Sequence, residues 1–398
     1  MSRGRATLLL AAGLVLSMTT WFSAAAVLPA LRALWSLSSG AGAWLTIAVQ
    51  VGFVAGSLLS AAMNLADRLP IRRLILGSAI GAATANALLV IAPDFGTAIA
   101  LRVLTGAFVA GIYPPALKLI ATYFRTGRGV ALGAMVGALT VGSAMPHLVN
   151  GLGGLDWRVV VLASSLMTVV GGLAAGAVRD GPYPFPRGRF EPRFAFRLFT
   201  DPALRLASFG YFGHMWELYA MWSWFAVFFG DSLVAAGRSD ARMLASLGTF
   251  AVVGIGAAGC YAGGVLGDRW GRTKTAAAAM AVSGTCAALI GATFGGPPLV
   301  VLAVGLIWGV AVIADSAQFS TIVTELSDQA YVGTAVTTQL AVGFSLTVAT
   351  IWLIPLVRDA VGWQWAFMIL APGPALGAIA MLRLRGRPEA RRIANGLG

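Results

Sequence analysis

The chain is a succession of long apolar segments, each about as long as a helix that crosses a lipid bilayer. A transmembrane helix needs about 20 predominantly apolar residues. Twelve segments of the 398-residue sequence meet this requirement, and most of the joints between them are short and polar. The predicted spans have approximate limits 6–31, 42–66, 74–92, 96–120, 129–151, 157–178, 205–230, 243–267, 275–294, 298–322, 331–357 and 362–384.

Composition excludes a water-soluble protein of this size. Apolar residues make up 58% of the chain and charged residues 11%, whereas a soluble domain carries roughly 25% charged residues. The chain therefore lacks the charged side chains that would cover a water-facing surface. The predicted fold class is an all-α polytopic membrane protein.

The basic residues are distributed unevenly between the two sides of the predicted spans. When both termini are placed on one side, 21 of the 28 Lys and Arg fall on that side and five on the other; Arg102 and Lys118 lie within a span. By the positive-inside rule, this asymmetry predicts cytoplasmic termini in the plasma (inner) membrane. The net charge of +13 is then an orientation signal and an attraction to anionic lipids, which argues against a nucleic-acid partner.

The N-terminal segment has two interpretations. Arg3 and Arg5 precede an apolar stretch and the small residues of Ser23–Ala26, a pattern also found in signal peptides. The apolar run continues directly beyond Ala26, and we therefore predict that the segment is retained as the first span.

A basic, proline-rich stretch divides the chain near its middle. Pro182, Pro184, Pro186 and Pro192 stand among several arginines, and such a stretch cannot bury a core of its own. The predicted organisation is an N-terminal six-helix bundle (1–178), a cytoplasmic linker (179–204), and a C-terminal six-helix bundle with a short basic tail (205–398).

A loop motif occurs once in each half. NLADRLPIRR starts at Asn64 after the second span, and GVLGDRWGRTK starts at Gly264 after the eighth. The two aspartates, Asp67 and Asp268, are 201 residues apart, which is close to half the chain length. Many transporters consist of two such repeats, with the solute site near the midplane between them.

The second copy resembles the cytoplasmic loop motif G-x-L-a-D-r-x-G-r-k of the major facilitator superfamily. The first copy retains the Asp-Arg pair but has Asn64 and Pro70 where the motif has glycine. The segment from Arg102 to Gly106 is similar to the superfamily's Arg-x-x-x-Gly motif. The resemblance covers the whole chain and implies twelve transmembrane helices in two pseudo-symmetric six-helix bundles, alternating access and a monomer.

The loop motif predicts a conformational latch. An aspartate at a helix end, followed by clustered arginines, can bridge to a neighbouring helix and its dipole, and glycine allows close helix approach. The alternative is that the arginines only set topology and the aspartate only caps a helix. The predicted latch residues are Asp67, Arg68, Arg72, Gly264, Asp268, Arg269, Gly271 and Arg272.

Two acidic residues lie well inside spans, Glu217 in the seventh and Asp315 in the tenth, and Arg102 lies toward the outer end of the fourth. Such groups cost about 2.5–3.5 kcal/mol on insertion scales and indicate a functional site. In the superfamily, spans one, four, seven and ten line the central cavity. The resemblance therefore implies that these three side chains face one another.

The seventh span presents the densest polar cluster. Tyr211, His214 and Glu217 recur every three residues, which predicts that one helix face presents all three. Glu217 is predicted to carry a coupling proton, because burial opposes its charge and a nearby cation restores it. His214 is predicted to share that proton. The alternative is that Glu217 is neutral and bonded to His214 as a link between helices.

The remaining polar and aromatic residues of the spans are candidates for solute contact. For the uncharged side chains, the alternative is a hydrogen bond to their own helix backbone. For Arg102 the alternative is a head group extended to the lipid surface, and for Asp315 a buried, paired acid. The predicted solute-binding residues are Arg102, Tyr211, Asp315, Gln318, Gln50, Gln339, Thr20 and Trp21.

Several chemistries have no signature in the sequence. There is no Walker A loop for ATP, no metal-ligand spacing and no catalytic triad; we predict neither an enzyme nor a cofactor. The predicted function is proton-coupled transport, with uptake or exchange of a small organic anion favoured. The alternatives are drug or metabolite efflux by proton antiport and, more remotely, a non-transporting sensor or scaffold.

Overall fold

The computed structural model describes residues 1–124, 128–152, 156–183, 192–328 and 331–398, without the side chains of Asp67, Arg128, Pro192 and Arg193. Within these ranges, eleven helices are long and apolar enough to cross a membrane. They match the predicted second to twelfth spans and are called spans 2–12. Their bounds are Ser39–Ala62, Ile71–Ile91, Phe95–Ala121, Gly129–Gly151, Trp157–Gly176, Pro202–Ala235, Ala241–Trp270, Arg272–Thr293, Pro298–Leu326, Val332–Val361 and Trp363–Arg385.

The first predicted span is interrupted and crosses the fold as a series of short helices, together called span 1. Arg3–Ser17 is followed by a single 3₁₀ turn, Met18–Thr20, and then by Ser23–Ala26 and Leu28–Leu34. Each interruption leaves backbone carbonyl groups without their helical partners. Inside a bilayer such groups must be satisfied by other parts of the protein.

Spans 4 and 10 are also interrupted. Span 4 consists of Phe95–Val109 and Tyr113–Ala121, and Pro114 lies in the first turn of the second piece, where its missing N–H costs little. Span 10 consists of Pro298–Ala314 and Ser316–Leu326. Asp315 is therefore the one residue between two helices, at a point where the regular backbone pattern is broken.

The chain has two faces, which we name after the termini. Consecutive spans run in opposite directions, so the loops after spans 2 and 8 lie on the face that carries both ends of the chain, here called the terminal face. There Arg3 lies beside Tyr183 after span 6, and the backbone N–H of Thr273 donates to Gly398. The opposite face is called the distal face.

Small residues hold equivalent helix pairs together in the two halves. A side chain at Gly52 of span 2 would collide with the carbonyl oxygen of Val103 in span 4, and one at Gly259 of span 8 would collide with that of Val310 in span 10. Gly259 follows Gly52 by 207 positions, and Val310 follows Val103 by the same number. This equivalence is what two pseudo-symmetric bundles require.

The two bundles meet along spans 2 and 11 and along spans 5 and 8. The predicted fold class is confirmed. The exact limits of the halves, 1–178 and 205–398, stay a prediction, because residues 184–191 of the predicted linker lie outside the described residues.

Candidate functional site

His214 and Asp315 form a buried acid–base pair between spans 7 and 10. Nδ1 of His214 lies 2.8 Å from Oδ1 of Asp315, and the two side chains are only 1% and 2% exposed. The angles of this contact are outside those of a regular hydrogen bond, and Nε2 of His214 has no hydrogen-bond partner among the described residues. The pair therefore keeps an unused ring nitrogen inside the protein.

Glu217 is held by spans 9 and 10. Its Oε2 accepts from Ser283 Oγ at 2.8 Å and its Oε1 from Trp308 Nε1 at 2.7 Å. The side chain of Glu217 points away from the helix face that carries Tyr211. Three residues advance a helix by about 300°, so the two steps from Tyr211 through His214 rotate Glu217 by about 120° relative to Tyr211. The sequence placed Trp308 on one helix face with Asp315 and Gln318 and did not single out Ser283, so neither was predicted as a partner of Glu217.

A cavity of about 60 Å³ lies between the two halves, next to His214. This is space for only a few water molecules. Spans 4, 5, 7, 10 and 11 contribute to its wall. The polar groups of the wall are Tyr113, Tyr211, His214, Tyr219, Ser316 and Ser320. Most of the remainder is apolar, including Leu117, Leu132, Val136, Leu139, Met215, Leu218, Ile313 and Phe344.

An aromatic cluster covers the cavity on its distal side. It joins the first half to the second through rings of spans 1, 2, 7 and 11, all of them buried. Phe53 and Phe344 have ring centroids 4.5 Å apart, and Trp21 lies 5.7 Å from Tyr219. Such contacts close the route from the cavity to the distal face. The cluster consists of Trp21, Phe22, Phe53, Tyr219, Trp222 and Phe344.

Arg102 lies against the interrupted part of span 1. Its guanidinium donates to the carbonyl oxygens of Thr20 at 3.0 Å, Trp21 at 2.6 Å and Leu45 at 3.0 Å, and to Oδ1 of Asn86 at 2.8 Å. The side chain is 0% exposed. Arg102 therefore supplies the donors that the interruption of span 1 requires. It is not among the described residues that line the cavity.

Four further predicted solute residues lie close to this region without lining the cavity. Gln50 and Gln339 are 0% exposed, and both polar atoms of each amide lack a partner within the described structure. Thr20 Oγ1 and Trp21 Nε1 are likewise buried without a partner there. The structure thus assembles unsatisfied polar groups beside the aromatic cluster. Of the predicted solute residues, Tyr211 is part of the cavity wall.

The second copy of the loop motif forms an ion-pair network on the terminal face. Arg272 lies 3.2 Å from Asp268 and 3.1 Å from Glu325 of span 10, and it donates to Oε1 of Gln318 at 3.3 Å. Gln318 in turn donates to the Gly263 carbonyl at 2.9 Å. Gln318, predicted to contact solute, is therefore part of the latch network in this structure. Glu325 was missed because it follows the predicted end of the tenth span.

The latch approaches the other half of the molecule at span 5. The carboxylate of Asp268 lies beside Gly129, in the first turn of span 5, and Gly264 faces the same turn. The N-terminal end of a helix favours a negative charge. The second motif copy thus combines an arginine network within its own half with an acid that faces the first half.

The first copy of the motif differs. Arg68 and Arg72 are exposed on the terminal face, as is Arg269 of the second copy. The side chain of Asp67 lies outside the described residues.

The described part of the chain contains no group of three His, Cys, Asp or Glu that could hold a metal ion.

The family assignment follows from the sequence profile together with this architecture. A family model described as the Major Facilitator Superfamily matches residues 10–350. The chain belongs to this superfamily. Superfamily members are integral membrane transporters that move small solutes, which confirms the coarse functional prediction. A comparison with curated protein sequences found no match.

Solved structures of other superfamily members share the fold. A bacterial homologue of the human lysosomal transporter Spinster, in an inward-facing and unoccupied conformation, is 18% identical with a TM-score of 0.71, covering 97% of this chain and 99% of its own. A D-xylose–proton symporter is 15% identical with a TM-score of 0.76, covering 98% and 99%. A proton:xylose symporter bound to 6-bromo-6-deoxy-D-glucose is 14% identical with a TM-score of 0.74, covering 96% and 95%.

Proposed function

We propose that the protein couples proton movement to the transport of a small organic acid with an apolar body. The observation that carries this proposal is the 2.8 Å contact between Asp315 and His214, of which His214 lines the cavity. Imidazole changes its charge more readily near neutral pH than any other side chain. Glu217, one helical turn from His214, is proposed as a second carrier of the same proton.

Charge balance supports joint movement of a proton and an anion. An imidazolium beside an ionised Asp315 is neutral as a pair, and one further proton gives the buried pair a positive charge. An unpaired buried charge is strongly unfavourable. A solute carboxylate beside His214 restores neutrality, so proton and anion enter together and leave together.

The cavity wall supports the proposed class of solute. The hydroxyl groups of Tyr113, Tyr211 and Tyr219 are hydrogen-bond donors suited to a carboxylate, while the leucines and Phe344 suit an apolar body. Because the cavity of this structure is small, the halves must separate to admit a solute. We propose that Gln50 and Gln339 then meet the solute with their unsatisfied amides.

Efflux by proton antiport is the second candidate, and the predominantly apolar wall of the cavity favours it. A drug-like solute without a carboxylate would displace the proton from the His214–Asp315 pair instead of accompanying it. The two candidates therefore predict opposite directions of proton movement for one direction of solute movement.

The latch and the aromatic cluster are proposed to be the two barriers of alternating access. Separation of Asp268 from the first turn of span 5 would open the terminal face, and separation of Phe53 from Phe344 would open the distal face. A solved neighbour described as a D-xylose–proton symporter supports coupling by analogy of fold alone. We also propose an inner-membrane monomer with cytoplasmic termini, supported by the distribution of arginines.

The experiment uses proteoliposomes that contain a trapped pH indicator. A panel of monocarboxylates, sugars and cationic drugs is added outside, and internal pH is recorded. Symport of an organic acid predicts solute-dependent internal acidification, and antiport predicts solute-dependent alkalinisation. His214→Asn and Asp315→Asn are expected to abolish the proton signal, and Glu217→Gln to reduce it.

The matched control is His147→Asn, because His147 is the other histidine of the chain and is also buried, at 1% exposed, but lies in span 5 outside the cavity wall. This variant should retain the proton signal. Solute-driven proton movement that survives in both His214→Asn and Asp315→Asn would show that the pair has no coupling role.

A further inference from the structure

A second cavity, the distal pocket, opens on the distal face and is much larger than the central one. Its volume is about 400 Å³, within the range of ordinary small-molecule sites. Spans 1, 7 and 11 form its wall, so it lies between the two halves. It shares no lining residue with the central cavity in the described part of the chain. Its charged residues are Arg32, Asp231 and Arg358.

Arg32 is held in place with most of its donors unused. Its methylene groups pack against Gly42 of span 2, where any side chain would meet them, and its Nε donates to the carbonyl oxygen of Leu37 at 3.3 Å. Its two terminal nitrogens have no protein partner among the described residues. A guanidinium fixed at Nε presents these nitrogens as a planar fork, the geometry that binds a carboxylate with two parallel hydrogen bonds.

The opposite wall carries a second fixed guanidinium. Arg358 pairs with Asp359 and donates to Ser39 of span 2, and it lies 5.5 Å from the ring centroid of Trp363. Trp363 donates its indole N–H to Oδ2 of Asp231 at 2.7 Å. Asp359 and Ser39 engage Nε and Nη2 of Arg358, and Asp231 accepts from Trp363, which is outside the pocket lining. Among the described residues, the uncommitted donors of the pocket are therefore the terminal nitrogens of Arg32 and Nη1 of Arg358.

We propose that the distal pocket is a separate binding site for a small dicarboxylate, held by the guanidinium fork of Arg32 with the second carboxylate toward Arg358. The pocket is wide enough for such a ligand, and the central cavity, with its apolar wall, is not suited to one. Because spans 1, 7 and 11 all contribute, a bound anion links the two halves on the distal face. Binding at this site does not require the proposed proton coupling, because the pocket shares no lining residue with the central cavity in the described part of the chain.

The test measures binding, not transport. Saturation-transfer NMR with succinate as the probe is performed on the full chain in detergent, with about three moles of sodium chloride removed for each mole of disodium succinate added so that the ionic strength stays constant. A saturable signal in the millimolar range is expected. Arg32→Gln should weaken binding at least about tenfold, since hydrogen bonds to a charged group contribute about 1.5–3 kcal/mol. Arg32→Lys should fall between.

The matched control is Arg238→Gln, because Arg238 lies on the distal face after span 7, outside the pocket, and pairs with Asp240. It should bind succinate like the unaltered chain, and so should His214→Asn, which separates this proposal from the proposed proton coupling. If Arg32→Gln fails to fold, Arg358→Gln tests the second wall and should weaken binding. A non-saturable signal, or unchanged binding in Arg32→Gln or in a folded Arg358→Gln, would overturn the proposal.

Discussion

Trp308 donates its indole N–H to Glu217 at 2.7 Å and thereby ties span 10 to span 7. The ring of Trp308 is 0% exposed, and Ser283 of span 9 occupies the other carboxylate oxygen. Three spans of the second half therefore share one carboxylate. This arrangement fixes the orientation of Glu217 beside the His214–Asp315 pair.

Trp308→Phe should destabilise the fold, because it keeps a buried ring but removes the donor to Glu217. Leaving a buried acceptor unsatisfied costs about 1–3 kcal/mol, and we expect a correspondingly lower Tm in detergent. Trp352→Phe is the matched control, since Trp352 is 43% exposed. Equal melting temperatures for the two variants would contradict the structural role of the indole.

Arg102→Lys is expected to destabilise the first half although it conserves the charge. Lysine offers a compact ammonium in place of the planar fork that reaches the carbonyl groups of Thr20, Trp21 and Leu45. Two buried acceptors left unsatisfied would cost about 2–6 kcal/mol. Thermal unfolding measures the effect, with the exposed Arg158→Lys as control. A lysine variant that melts like the unaltered chain, yet fails to transport anions, would instead favour direct solute contact by Arg102.

Gly271→Ala should loosen the C-terminal tail from the latch. Gly271 has φ +95° and ψ 144°, a conformation that is almost confined to glycine and costs other residues about 1–3 kcal/mol, and a Cβ there would collide with the carbonyl oxygen of Leu397. We expect faster proteolysis of the tail and a lower Tm. Gly333→Ala is the control, because nothing lies near that glycine. Unchanged proteolysis of the tail in Gly271→Ala would rule out this packing.

The cap of span 4 should respond to acid. The backbone N–H of Thr97 donates to Asp94 at 2.8 Å and, as the main cause, holds the pKa of this exposed carboxyl below its ordinary value of 3.8. A lowered pKa in the folded state stabilises the fold above the ordinary pKa, and this contribution disappears as the pH falls through the lowered value. The Tm difference between the unaltered chain and Asp94→Asn should therefore be largest near pH 7 and shrink below about pH 4. A difference that grows on acidification would contradict the sign.

The existence and order of spans 2–12 could be predicted from the sequence because hydrophobic length decides them, and their ends could be predicted to within about five residues. The interruption of span 1 could not, since Thr19, Thr20 and Trp21 fit a continuous helix equally well. What breaks that helix is a tertiary contact from Arg102, 82 residues away from Thr20, and hydropathy carries no information about such a contact.

The burial of the ionisable residues could be predicted from the sequence, but their partners could not. Position within apolar spans singled out Glu217, Asp315 and Arg102, and all three are buried, whereas their role in transport stays a prediction. Which side chain faces which depends on helix rotation, and a spacing of three residues does not keep side chains on one face. His214 consequently lies against Asp315, Glu217 against Trp308, and Gln318 within the latch.

Span 7 is one uninterrupted helix of 34 residues, about 51 Å long at 1.5 Å per residue. It carries His214, Tyr219 of the aromatic cluster and Asp231 of the distal pocket. A stiff rod that pivots by 10° about its midpoint shifts each end by about 4 Å in opposite senses. In the proposed cycle, a tilt of span 7 at the proton pair would also move the distal rim, so this single helix would couple the opening of one face to the closing of the other.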